Sequence, residues 1–466
     1  MKNERYELAV IGAGPAGLVA AKFAARLGAK VALIEGRRIG GDCTWTGCVP
    51  SKALLKAAKV AETVRRARDY GIVADPPAVD LAGVREYVRH AIDAAYRHET
   101  PEQLGAAGVE LALGAARFVE PSGVAVGGRV VRAKRFIVAT GARPRLPPIA
   151  GLNEVPFATY EDIFDNEVLP KRMIVVGAGP LGVEIAQAYE RFGARVTLIG
   201  TGFLPMEDAD VRAAMRRVFE REGIRFVAGR ARAARREGDS IAVATEDEEV
   251  KAEQLFIAAG REPNVEGLGL EAAGVDYSSR GIPVDARLRT NVKHIYAAGD
   301  VLGERQYTHY AAWQAFRAVR NALLPGGASG IADLVPRVTY TDPEVAQAGF
   351  TEEAAVERFG PDAVVHRIDM DGVDRAICEN DTSGTLKIVA RRDGTILGAT
   401  VVARRAGEVL GELMLAMQRG LKLGDLAGVM HAYPTYSSPV QQLAADFSVE
   451  RFLRSGPGSL IRKLRR

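Results

Sequence analysis

Two stretches of the chain share one hydrophobic rhythm. YELAVIGAGPAGLVAAKFAARLGAKVALIE, residues 6–35, and KRMIVVGAGPLGVEIAQAYERFGARVTLIG, residues 171–200, each open on a short continuous apolar run and break at GxGxxG. Each then places apolar residues three and four apart and closes on a second apolar run. A continuous run suits a strand buried on both faces, and the three-four spacing suits an amphipathic helix. Strand, glycine turn, helix and strand are therefore predicted twice, in doubly wound α/β units. The turns are Gly12, Gly14 and Gly17 with Pro15 and Ala16, and Gly177, Gly179 and Gly182 with Pro180 and Leu181. Glycine there lets backbone approach a pyrophosphate held at the helix N-terminus.

The rhythm continues outside the repeat. Residues 135–147 (RFIVATGARPRLP) and 255–264 (LFIAAGREPN) each read as a buried strand ending at a glycine turn with proline beyond, leading out of the two nucleotide units. TNVKHIYAAGDV ends a strand at Gly299 and Asp300, and THYAAWQAFRAVRNAL then opens a helix. From Val335 the pattern alternates, as in TLKIVARR and TILGATVVARR, with a DG hairpin turn at Asp393 and Gly394. No glycine-rich nucleotide turn occurs in this α+β stretch. The expected division is 1–150 and a return segment 276–334 for the first nucleotide domain, 151–275 for the second, and 335–466 for the α+β domain.

The two copies differ where the second strand ends. Glu35 stands at the position where an acid accepts hydrogen bonds from a ribose diol, so the first unit is expected to take the adenosine half of a dinucleotide lacking a 2′-phosphate. Gly200 stands there in the second copy, followed by Thr201 and Gly202. Neither the acid that selects NAD nor the arginine that selects NADP is present, and Gly182 leans towards NAD.

The chain has 466 residues with net charge +4, too mild and dispersed a charge to argue for nucleic acid. No apolar run is long enough for an integral membrane segment and no leader pattern opens the chain, so a cytoplasmic protein is expected. The basic end, GSLIRKLRR, reads as a solvated tail or a contact with a partner or membrane surface.

Three cysteines are too few for a structural disulfide framework, and two of them lie close together in GGDCTWTGCVPSKALLKAAK. Cys43 and Cys48 read as a redox pair. Five residues of regular helix rise about 7.5 Å, more than the roughly 4.4 to 6.8 Å a disulfide allows between Cα atoms, so a pair requires a bend. Gly40, Gly41 and Gly47 permit one. Pro50 suits the first turn of a following helix, which would put Cys48 near a helix N-terminus, where a thiolate is favoured. Two unrelated buried cysteines are the alternative.

In order, GAGPAG, GGDCTWTGCVPSK, ATG at 139–141, GAGPLGVE, AAGREPN, AAGDV and PRVTYTDPEV make the chain resemble, over nearly its whole length, the class I pyridine nucleotide-disulfide oxidoreductases. That family includes glutathione reductase, dihydrolipoamide dehydrogenase and mercuric reductase. The resemblance implies two Rossmann-like domains and a C-terminal dimerisation domain. It also implies FAD in the first unit, NADH or NADPH in the second, and a homodimer with active sites shared between subunits. FAD would meet Gly12, Gly14, Pro15, Ala16, Gly17, Glu35, Gly41, Asp42, Lys52, Thr140, Gly141, Gly299, Asp300 and His309. The nicotinamide coenzyme would meet Gly177, Gly179, Pro180, Leu181, Gly182 and Gly200, and Gly260 and Arg261 are further cofactor contacts not assigned to either of the two. Cys43 would be the interchange thiol and Cys48 the charge-transfer thiol against the flavin, with Lys52 near the reactive flavin nitrogen and Glu184 paired to it. A solvated helix position is the other reading of Glu184. For His309, packing is the alternative to a place beside the flavin.

The chain departs from the family at the acid-base site. Members acting on glutathione or lipoamide carry a histidine before proline and threonine, with a glutamate five residues on. In HAYPTYSSPVQQ, Tyr433 and Ser438 hold those places. A phenol is a poor base at neutral pH but can donate a proton. His431, two residues earlier, is a substitute if the segment is extended and both side chains point the same way; a structural or merely neighbouring role is the other and favoured reading. A tyrosine here resembles mercuric reductase, but no cysteine follows Cys378, which reads as a small buried residue, with a place in a metal or substrate site across the dimer as the alternative. The acceptor is left open among disulfides, metal ions, quinones and oxygen, and no resident metal is expected. Dihydrolipoamide dehydrogenase or mercuric reductase activity, or a flavin-bearing redox sensor, are the alternatives.

Overall fold

The computed structural model describes residues 5–457, so the basic tail lies outside the described residues. The chain forms two compact units. One holds the described residues up to Gly177 with Arg191–Arg195 and Gly229–Ala332, and the other holds Ala178–Glu190, Val196–Ala228 and the described residues from Asp333 onward.

In the first unit a five-stranded parallel sheet runs in the order Ile295–Ala297, Phe136–Val138, Leu8–Ile11, Val31–Glu35, Val109–Leu113. Both faces are covered, which is why its strands read as continuous apolar runs. Leu8, Val10, Leu33 and Ile137 pack with Ala16, Ala20, Ala315 and Val319 of the helices Pro15–Arg26 and Thr308–Leu323. Ala9, Ile11, Ile34, Phe136 and Val138 pack on the opposite face with Phe118, Val124 and Val126. These belong to an antiparallel meander of Arg117–Glu120, Gly123–Val126 and Arg129–Arg132. Phe118 and Phe136 meet edge to face at 5.3 Å between ring centroids. Burying each such side chain contributes about 1.5–3 kcal/mol.

The second repeat opens in this unit with Arg172–Val176, paired in parallel with Gln254–Ile257. In the other unit Arg195–Gly200 pairs in parallel with Arg225–Ala228 from Thr197 onward. That unit also contains an antiparallel sheet ordered Arg337–Thr339, Glu344–Gly349, Ile396–Ala403, Thr385–Arg391, Ala363–Asp369. The helices Ala406–Arg419 and Ser438–Arg454 share its core through Leu410, Leu413, Val440 and Leu443. The predicted hairpin turn is present, with Gly394 at φ 91°. Among the described residues no helix is long and apolar enough to cross a membrane.

Candidate active site

The first glycine turn sits at the carboxyl ends of the parallel strands, where open α/β sheets bind ligands. Gly12 has φ 100°, and a Cβ there would lie 2.3 Å from the carbonyl oxygen of Ala139. A Cβ on Gly41 would lie 2.7 Å from the Cα of Gly14, so the start of the redox loop rests against the turn. No side chain caps the helix Pro15–Arg26, whose N-cap is Gly14. Bare backbone before an uncapped helix N-terminus fits the pyrophosphate of FAD. Glu35 accepts from the Ala13 N–H at 2.6 Å through Oε2 and from the Arg37 N–H at 2.6 Å through Oε1, so its carboxylate is fixed in direction. Gly299 brings Asp300 to the same edge, with its N–H donating to Gln314 Oε1 at 3.0 Å and its Cβ position 3.4 Å from the Ala16 Cβ. Thr140 and Gly141 are held by Asn264, whose Nδ2 donates to the Thr140 carbonyl at 3.0 Å and whose N–H donates to the Gly141 carbonyl at 3.0 Å.

The redox loop bends as the cysteine spacing requires. A short helix, Gly41–Trp45, stops at Thr46, and the helix Cys48–Arg65 starts two residues later. A Cβ on Gly47 would lie 2.8 Å from the Asp42 carbonyl oxygen, so only glycine lets the two helices follow so closely. Cys48 is the first residue of its helix, as expected, and both cysteines are half-buried free thiols. A hydrogen bond between the two thiols, with burial second, pushes Cys43 well above the ordinary cysteine range. The Thr308 Oγ1, from the first turn of Thr308–Leu323, lies 3.1 Å from the Cys48 Sγ. Lys52 follows one turn along the same helix as Cys48.

Arg261 is drawn into this site. Its guanidinium donates to Asp42 at 2.6 Å, to Asp300, and to the Tyr160 hydroxyl at 3.3 Å. The His309 ring stacks on Tyr307 with centroids 5.4 Å apart.

In the second repeat, a Cβ on Gly177 would lie 2.2 Å from the Ala258 carbonyl oxygen, repeating the Gly12 approach. Pro180, Leu181 and Gly182 open the helix Pro180–Phe192, and Gly179 has nothing within 4 Å of its Cβ position. Gly260 has its Cβ position 3.1 Å from Arg145 Nη2. Glu184 is 3% exposed and its Oε1 accepts from the Tyr340 N–H at 2.8 Å, which excludes a solvated position. Lys52 and Glu184 belong to different units, and their pairing stands as a proposal.

In the C-terminal loop His431 takes the structural one of its two readings, and it and Tyr433 do not share a direction. The His431 side chain is 6% exposed, with Nε2 2.9 Å from Glu412 Oε2 and Nδ1 3.1 Å from the Val429 carbonyl, so both ring nitrogens are engaged. Tyr433 is 73% exposed and its hydroxyl donates to Asp374, which raises the phenol above its ordinary value. Ser438 donates to the Thr435 carbonyl at 2.8 Å and serves the start of the helix Ser438–Arg454. Cys378 is exposed rather than buried. It ends the short helix Asp374–Cys378, and two residues of helix turn about 200° from the inward-facing Ala376.

Thr308, Asp374 and Tyr160 were not singled out in the sequence as site residues. Each comes from a stretch remote from the group it touches, and the only local signal is that Thr308 opens a helix right after the AAGDV turn.

A family profile described as pyridine nucleotide-disulphide oxidoreductase matches residues 6–315, and the corresponding dimerisation-domain profile matches residues 335–444. A dihydrolipoyl dehydrogenase of Thermus scotoductus is 36% identical over 466 residues, covering 94% of this chain and 96% of its own. A mercuric reductase of Bacillus cereus is 35% identical over 410 residues, covering 86% of this chain, which spans only 64% of that protein's length. Among solved structures, the HOCl-induced flavoprotein disulfide reductase RclA from Escherichia coli superposes with TM-score 0.85 at 26% identity, covering 94% of this chain and 99% of that one.

Proposed function

Because the chain belongs to the pyridine nucleotide-disulphide oxidoreductase family, we propose that it carries electrons from NADH or NADPH through FAD to a Cys43–Cys48 disulfide and on to a small-molecule or metal-ion acceptor. It is an FAD-dependent oxidoreductase with a dimerisation domain. The observation that carries the site reading is the bend that brings the two free thiols together, with the Cβ position of Gly47, next to Cys48, 3.4 Å from the Cys43 Cα, on a loop seated against the first glycine turn. Residues 1–150 and 276–334 would hold FAD, 151–275 the nicotinamide coenzyme, and 335–466 the subunit contact. A cysteine pair that must cycle between thiol and disulfide suits the cytoplasm.

When bound, FAD supplies the two-electron relay between the coenzyme hydride and the disulfide. The uncapped helix N-terminus that follows Gly14 would hold its pyrophosphate, and Glu35 would meet the adenosine ribose. Cys48 has the helix N-terminus to favour its thiolate and the Thr308 hydroxyl to orient its sulfur. Cys43 keeps its proton beside that thiolate, so its attack on an acceptor requires the proton to leave. Tyr433, held protonated by its hydrogen bond to Asp374, is no base, and a phenol raised above its ordinary value gives its proton to a departing thiolate only uphill. His431 has both nitrogens engaged and holds the loop. This disfavours simple alkyl disulfides, whose exchange draws about 10² to 10⁴ in rate from acid-base help.

Metal-ion reduction is the second reading, favoured by the exposed thiol of Cys378, which ends the short helix whose first residue, Asp374, accepts from Tyr433. The test is an acceptor screen under air and under nitrogen, following NADH and NADPH oxidation with glutathione disulfide, lipoamide, Hg(II), Cu(II) and a quinone. Fast stopped-flow flavin reduction with slow turnover on both disulfides is expected. Disulfide turnover as fast as flavin reduction would overturn the acid-base reading, and no flavin reduction by either coenzyme would overturn the whole.

A further inference from the structure

Arg261, Asp42, Asp300 and Tyr160 come from four separate stretches of the first unit and form one network. Arg261 follows the Ala258–Gly260 turn that closes the second nucleotide repeat. Its Nη2 donates to Asp42 Oδ2 at 2.6 Å, its Nη1 donates to Asp300, and its Nε donates to Tyr160 Oη at 3.3 Å. The guanidinium carbon lies 5.2 Å from the Tyr160 ring centroid, and Tyr160 Oη bonds Asp42 at 3.2 Å. The Arg261 and Asp300 side chains are 25% and 15% exposed. Burial opposes the Arg261 charge, but Asp300, Tyr160 and Asp42 outweigh it. One cation therefore serves two carboxylates, and one of those belongs to the residue next to Cys43.

We propose that Arg261 is a positioning residue for the redox loop, tying Asp42 to Asp300 and offsetting two negative charges that would otherwise resist thiolate formation at Cys43 and Cys48. The proposal rests on the reading of those cysteines as the redox pair. Removing the cation leaves the Asp42 carboxylate, on the residue before Cys43, without its guanidinium partner, and like charge disfavours the ionised thiol. Among the other groups at the thiols, Glu99 adds negative charge and raises Cys43, the Thr308 hydroxyl lowers it, and Lys52, one turn along the Cys48 helix, is common to the wild type and every variant tested.

The test is the pH profile of iodoacetamide alkylation of the NADH-reduced holoenzyme, with alkylated residues identified by mass spectrometry. In Arg261→Gln the profile shifts to higher pH and alkylation at neutral pH slows on the order of tenfold, the effect of one charge removed at close range. Arg261→Lys restores the rate to within about twofold. Asp42→Asn, which keeps the cation and removes one acid, shifts the profile the other way, and it decides the matter if Arg261→Gln fails to fold. Unshifted profiles in folded Arg261→Gln, or in Asp42→Asn, would overturn the proposal. If NADH instead exposes no thiols at Cys43 and Cys48 in the wild type, the redox-pair reading itself has failed.

Discussion

The two glycine turns start alike and finish differently. At each the first glycine lies against a carbonyl of a neighbouring strand end, Ala139 in one and Ala258 in the other. In the first copy the residue after that glycine, Ala13, gives its N–H to Glu35. In the second the matching Ala178 uses its carbonyl, which accepts from the Leu204 N–H at 2.9 Å, and its Cβ would stand 2.8 Å from a Cβ on Gly200. The chain itself folds over the place where the acid stands in copy one, with Phe203 and Leu204 buried. Beyond the second strand the divergence widens. Copy one runs into the redox loop, while copy two runs to Asp208, one of three acids that enclose the fully buried Lys387. Lys387 Nζ lies 2.8 Å from Asp208, 2.9 Å from Asp210 and 2.9 Å from Glu352. The same starting motif thus leads to chemistry in one case and to a structural ion cluster in the other. Those three carboxylates lie close enough together to hold a metal ion, but the lysine already satisfies them.

The largest effect expected is at that cluster. Lys387→Met leaves three carboxylates around a buried position, a break worth about 3–5 kcal/mol of stability, read as a fall in chemical-denaturation stability of the holoenzyme. Burial works against the Asp208 charge, but Lys387 and the Glu353 and Glu352 N–H groups outweigh it and hold this carboxyl below its usual range. A depressed acid stabilises the fold above its unfolded value and loses that contribution as pH falls below about 4. The loss in Lys387→Met should therefore shrink on acidification towards that pH. A deficit that stays constant with pH would remove the carboxylates from the explanation.

Next comes copy one. Glu35→Gln replaces the charged acceptor of two backbone N–H groups and of the ribose, costing about 1.5–3 kcal/mol per charged hydrogen bond. FAD affinity should fall by about 10² or more, measured by flavin fluorescence on reconstitution. Full flavin retention would show that Glu35 only braces the turn.

Smallest is coenzyme choice in copy two. With no charge at Gly200, wild-type discrimination between NADH and NADPH in stopped-flow flavin reduction should stay under about a hundredfold, or roughly 2.7 kcal/mol. Gly200→Glu should weaken both coenzymes alike, because its Cβ meets Ala178. Thr201→Glu, at an exposed position, should weaken NADPH selectively. A clean NADH switch from Gly200→Glu would mean that the turn yields and that the close contact is not decisive.

The sequence was most informative where backbone geometry demands a residue type. Gly12, Gly177, the bend around Gly47 and the start of the helix at Cys48 all announce themselves locally. Partners supplied by remote packing do not, and Thr308 on Cys48, Asp374 on Tyr433 and Glu412 on His431 belong to that kind. The 431–433 segment left two readings open for a related reason. Alternation predicts a shared direction only for a regular strand, whereas this loop is irregular and Glu412 takes the histidine.

An anaerobic titration with NADH, following the flavin spectrum and alkylation of Cys43 and Cys48 together, tests the central claim most directly. The first two electrons should leave the flavin oxidised, raise a long-wavelength charge-transfer band and expose both thiols. Cys43→Ser should show the band without reduction, and Cys48→Ser should show none. Bleaching of the flavin by the first two electrons, with neither cysteine newly alkylated, would contradict an electron path through Cys43 and Cys48.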